Sequence, residues 1–139
     1  MLRQYLVGAA ASVCNIAIHA LVMTAVIRVA RVVDGWTTAH QTLRLISVMI
    51  ATVTVLMVAH LAEVLVWSLI YVMTAAAPDG ADIIYFAFVN YTTLGYGVVT
   101  PVERWRLLGP ITAMNAVLMF GWSTAVIFEV LRRTARHGA

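Results

Sequence analysis

Two histidines, a carboxylate and an amide stand inside long apolar stretches of this sequence, where such side chains are costly to place. His60 and Glu63 are three residues apart, and Asn15 and His19 are four apart, so each pair shares one face of a helix. Ionisable groups buried in this way are functional-site candidates by default. They have three chemistries open to them: hydrogen-bonded glue between helices, proton sensing through an imidazole between about pH 5 and 8, or a metal site from His19, His60 and Glu63. Structural glue is the expected role, with Asn15 and His19 as natural partners of the His60–Glu63 pair.

A second stretch is unusual in its backbone. The segment TTLGYGVVTP, residues 92–101, is rich in Thr, Gly and Pro and cannot continue a helix. Its glycines, Gly95 and Gly97, permit backbone angles that other residues reach only at a cost. No nucleophile–base pair, Cys-x-x-Cys, phosphate loop or pair of catalytic carboxylates occurs, so no enzyme is expected. Cys14 is the single cysteine, which excludes an intrachain disulfide.

The elements that position these groups follow from composition. Of the 139 residues, 63% are hydrophobic and 11% charged, whereas soluble domains average about 45–50% and 25%. A chain this small has too much surface for its volume to hide that apolar excess from water. It reads as an integral membrane protein in a lipid bilayer. The net charge of +3 forms no continuous stripe, so no nucleic-acid partner is expected.

Charge-free runs at 4–27, 45–62 (continuing apolar past Glu63 to Ala77) and 107–128 each meet the ~20 apolar residues needed to cross ~30 Å of hydrocarbon. The first run is too long for a signal-peptide core and has no small-residue cleavage site before Arg28. A fourth run, 83–102, differs. IIYFAFVNY can be helical with Asp79 or Asp82 as N-cap, but its length covers only half a membrane. The chain then leaves as an extended loop, a re-entrant segment.

The expected fold is all-α: an extra N-terminal helix (1–33), an outer span (41–77), a pore helix and loop (78–104), an inner span (105–133) and a short tail (134–139). Six arginines, Arg28, Arg31, Arg44, Arg132, Arg133 and Arg136, fall on the side of the loop around Trp36 and the C-terminus, against Arg3, Arg104 and Arg106 on the other. That asymmetry makes the former side cytoplasmic. The expected location is the cell's inner membrane, with the N-terminus and the loop mouth outside and the C-terminus cytoplasmic. Tyr5, Trp67, Tyr71 and Trp105 are expected near the outer interface.

Thr92-Thr93-Leu94-Gly95-Tyr96-Gly97, set between a half-helix and a third span, resembles the pore region of the potassium-channel superfamily. The likeness runs over about residues 45–131 and is to small bacterial members with one extra helix ahead of the two-helix pore module. Thr93, Leu94, Gly95, Tyr96 and Gly97 take the five filter places, with Leu94 where Val is usual. The resemblance implies that these residues bind K+ through backbone carbonyls, with the Thr93 hydroxyl adding an innermost oxygen. It implies a homotetramer, since one chain supplies one wall, and no cofactor beyond the permeant ion. Tyr85 and Phe86 fall where the family braces its filter, Thr92 supports it from behind, and Pro101 and Trp105 match the post-filter spacing. Val98 and Val89 replace the carboxylate pair that braces many filters, which bears on K+/Na+ discrimination.

On the inner span, Asn115 is assigned either to the cavity below the filter or to a bond across helices. Gly121 is either a hinge, although the family's usual hinge aligns nearer Val117, or a packing glycine. Arg28 and Arg31 are too few for a voltage sensor, and Glu129 with its arginines reads as an interfacial cluster. The function expected is passive K+ conduction. A weakly selective monovalent cation channel and a non-conducting accessory subunit are the alternatives.

Overall fold

The computed structural model describes residues 1–33 and 41–136. The loop around Trp36 and the end of the 134–139 tail lie outside the described residues. Four α-helices follow in order: α1 (Leu2–Val33), α2 (Gln41–Thr74), α3 (Ile83–Tyr91) and α4 (Leu108–Arg136), with a 3-10 turn at Glu103–Trp105 before α4. Three of them are long and apolar enough to cross a membrane. The protein is thus an all-α, multi-pass membrane protein. By contrast, the nine residues of α3 rise only about 14 Å.

The three long helices pack on one another, and α3 wedges against α2 and α4. One core cluster gathers Trp67, Tyr71, Phe86, Tyr91, Trp105 and Leu108 around α3. A second joins Met23, Val26, Leu56, Val126 and Val130 at the other end of the bundle. The N-terminus of α1 shares an end with the loop that enters α4: the Gln4 side chain accepts from the Leu107 N–H at 2.9 Å, and Arg3 stacks over Trp105. At the opposite end Arg44 donates to the Thr134 carbonyl. This antiparallel order is the one the charge-free runs imply.

Two helix ends are shaped alike. After α2, Ala75 adopts φ 48°, and the Ala76 N–H bonds the Tyr71 carbonyl while the Ala75 N–H bonds that of Val72. After α3, Thr93 adopts φ 58°, with Leu94 N–H on the Val89 carbonyl and Thr93 N–H on that of Asn90. Both are Schellman terminations, which normally place Gly at the left-handed position. The first ends α2 at Thr74, earlier than the apolar run to Ala77 implied. The loop then turns through Gly80 to Asp82, whose carboxylate caps α3 by accepting from the Tyr85 N–H at 3.1 Å.

Trp67 and Tyr71 correct one expectation. Their rings do not face lipid but are fully buried in the core, where the Trp67 indole donates to Asn115 and the Tyr71 hydroxyl bonds Thr112 at 2.6 Å. Close packing of α1 on α4 depends on Gly8, where an added Cβ would lie 2.8 Å from Ile111 Cδ1 and 2.9 Å from its Cγ2. Gly8→Val is therefore expected to force these helices apart and cost about 1–3 kcal/mol, measured as a lowered thermal unfolding midpoint in detergent.

Candidate functional site

The loop that follows α3 has its backbone free. Thr92 closes the helix, its hydroxyl donating to the Phe88 carbonyl at 2.7 Å. Beyond Leu94, no hydrogen bond between described residues involves the backbone of residues 95–101. The sign of φ alternates along Thr93 (58°), Leu94, Gly95 (59°), Tyr96 and Gly97 (74°), positive at the first, third and fifth. Left-handed backbone at Thr93 costs roughly 1–2 kcal/mol, and such strain persists where the surroundings enforce it. In a β-strand successive carbonyls point to opposite sides, and alternation of left- and right-handed residues turns them toward one side instead.

Residues 92–98 are all exposed on the single chain, with Val98 83% and Tyr96 66% exposed. Tyr85, Phe86 and Val89 on α3 form the wall behind Tyr96, Val98 and Val99. Tyr85 stays half exposed there, whereas Phe86 is buried against the Tyr71 ring at 4.8 Å. Trp105 lies in the core cluster with Phe86 and Tyr91, under the Arg3 guanidinium. Pro101 packs at Gly109, where an added Cβ would come within 3.2 Å of its Cγ and 2.9 Å of Asn90 Oδ1.

The polar residues of the spans form a network on the interior side of α3. Glu63 is completely buried, and its two oxygens take His19 Nδ1 at 2.6 Å and His60 Nδ1 at 3.2 Å. The Tyr91 hydroxyl donates to Glu63 Oε2 and lies 2.9 Å from His60 Nδ1. On their far sides both imidazoles meet one hydroxyl, Ser123 Oγ, at 2.9 Å from His60 Nε2 and 3.3 Å from His19 Nε2. The ring Glu63–His19–Ser123–His60 is closed, and with Tyr91 it draws on all four helices. The His60 ring also stacks near Phe120, and that of His19 near Trp122.

His19, His60 and Glu63 thus converge as expected. Asn15 does not join them: its amide donates to Asn115 Oδ1 at 3.2 Å, one layer away. Asn115 is buried at 3% exposure and bonded to Asn15 and Trp67, so it ties helices together and faces no cavity within the chain. Gly121 has no atom within 4 Å of an added Cβ, which removes its role as a packing glycine inside the chain. Gly8 and Gly109 have that role. Tyr91 and Ser123 were missed in the sequence, where the only signal was a hydroxyl at membrane depth, a group that bonds across helices.

A family model described as an ion channel matches residues 59–133, more than half of the chain. The match opens one residue before His60 and takes in Glu63, Tyr91, residues 92–101 and Ser123. Neither the curated proteins nor the solved structures give a match.

Removing one partner from a buried ionic group costs about 3–5 kcal/mol, whereas single hydrogen bonds between membrane helices average ~0.6. Glu63→Ala should therefore destabilise the protein several times more than Tyr91→Phe, read as thermal unfolding in detergent. Equal losses would mean that the carboxylate is solvated.

Proposed function

The chain belongs to this ion-channel family, and on that premise we propose that it conducts K+ selectively through a filter of backbone carbonyls at Thr93, Leu94, Gly95, Tyr96 and Gly97. The alternating sign of φ from Thr93 to Gly97, with no hydrogen bond to the backbone of residues 95–101 among the described residues, carries the reading. Desolvated K+ is held by rings of such carbonyls. One chain offers one wall, so four copies close the ring as a homotetramer around the ion path.

The uncovered face of α4 supports assembly. Met114, Val117, Leu118 and Gly121 recur at three- and four-residue spacing and are all exposed, a stripe available to the central cavity and to neighbouring copies. In this assembly α3 aims its C-terminus, the negative end of its dipole, at the axis. The filter mouth and the N-terminus face outward, and the arginine-rich ends of the spans face the cytoplasm. K+ is the permeant ligand, and no further cofactor is needed for conduction.

The absence of a carboxylate pair at Val89 and Val98 favours a second reading, a weakly selective monovalent cation pore. Val89 is buried and Val98 is open, so neither position braces the filter by charge. Purified protein in liposomes with opposed K+ and Na+ gradients separates the readings. The reversal potential is expected near that of K+, and a value near zero would favour the second. A protein without flux would be an accessory subunit.

Gly95→Ala is expected to assemble normally, since the new Cβ meets only the Thr93 carbonyl at an ordinary 3.7 Å. It strains φ at 59° by about 1–2 kcal/mol, which depopulates the conducting backbone about 5–30-fold. Flux should fall accordingly in the same liposome assay. The mass of the detergent-solubilised particle, after correction for bound detergent, is expected to be that of four chains.

A further inference from the structure

Each imidazole of the closed ring around Glu63 places Nδ1 against a carboxylate oxygen and Nε2 against Ser123 Oγ. Both Nδ1 atoms and the carboxylate therefore face one point. With a cation at that point each ring keeps its proton on Nε2, and the two lone pairs of Ser123 Oγ can accept both.

We infer that His19, His60 and Glu63 form an intramembrane binding site for a divalent transition-metal ion of the Zn2+ class. One ligand atom from each lies within 4.8 Å of the others, and among the described residues these three were the convergent group of such donors. Two imidazoles and a carboxylate are a zinc donor set, with bonds of about 2.0–2.2 Å that set tetrahedral ligand atoms roughly 3.3–3.5 Å apart. His19 Nδ1 lies 2.6 Å from Glu63 Oε1 and His60 Nδ1 lies 3.2 Å from Oε2, both shorter than this, so the histidines and the carboxylate must move apart to admit the ion.

The fourth ligand is the Tyr91 oxygen, which contacts both Glu63 Oε2 and His60 Nδ1. Bound as phenolate, with its proton released to solvent, it joins the Glu63 carboxylate in neutralising the two positive charges. A neutral site is what a low-dielectric interior admits. Ser123 plays the outer role that metal-bound histidines require, fixing both rings through Nε2. His60 is the member that keeps some exposure, 13% of its side chain, and gives the ion access. Since Tyr91 immediately precedes the Thr92–Gly97 loop, metal at this site fastens the base of that loop to α1 and α2.

The test uses the full chain in detergent, stripped with EDTA and returned to Co2+ or Zn2+ alone. Expected are one ion per chain after desalting, the intense visible absorption of tetrahedral Co2+, and a raised melting temperature with Zn2+ but not with Mg2+. Ser123→Ala is expected to bind 10–100-fold more weakly. His19→Ala abolishes binding if it folds, and Glu63→Gln, which keeps the side chain's shape, abolishes it in any case. Wild-type protein that retains no zinc and shows no cobalt spectrum overturns the site, as does undiminished binding in Glu63→Gln. Loss of zinc binding with K+ flux intact would leave the channel reading standing, and the reverse result would leave the metal site standing.

Discussion

A backbone carbonyl or N–H inside the hydrocarbon of a membrane must find a partner, because each one left alone costs several kcal/mol. Most of this chain meets the condition by being helical. Residues 95–101 do not, and they stand on the exposed side of the protein. Such a backbone is tolerated only where protein covers it or where it faces a water-filled or ion-filled path. The chain holds this loop on the open side of the single copy, which is where the proposed ion path would need it.

The half-length helix α3 delivers the loop, and its ends are fixed by local chemistry. Asp82 starts it, and a Schellman turn with Thr93 in the left-handed region stops it. Beyond the loop, the Val102 N–H returns to the Ala76 carbonyl and Arg104 reaches that of Ala75, so the two feet of the re-entrant segment are tied to the end of α2. On its inner side Tyr91 ties the helix to Glu63 and, through the imidazoles, to α1 and α4. The extra N-terminal helix is thereby part of the same polar network as the residue next to the loop. Its matched family stretch, 59–133, starts after α1, yet His19 on α1 makes the shorter of the two His–Glu63 contacts.

Much of this was legible in the sequence because membranes impose simple rules. The three spans and the half-helix follow from apolar run length, and Asp, Gly and Pro placement narrowed the cap to Asp79 or Asp82, of which the fold uses Asp82. The convergence of His19, His60 and Glu63 was legible because few polar groups share the interior and each needs a partner. Asn115 was not resolved, since a face of α4 cannot be assigned inward or outward from a span that is apolar nearly all round. Trp67 and Tyr71 were misplaced for a related reason: an interfacial ring and a buried ring look alike until Asn115 and Thr112 are seen to receive their N–H and O–H. The Ala75 and Thr93 terminations were hidden because non-glycine residues occupy positions that sequence rules reserve for glycine.

The central claim is that the free backbone of the loop faces an ion path shared by several copies. It is tested most directly by a structure of the assembled protein in lipid with Tl+ or Rb+ replacing K+. The account predicts anomalous density on a fourfold axis, between the carbonyls of residues 93–97 from four chains. An assembly in which those carbonyls face lipid or a neighbouring helix, with no heavy cation beside them, would contradict it.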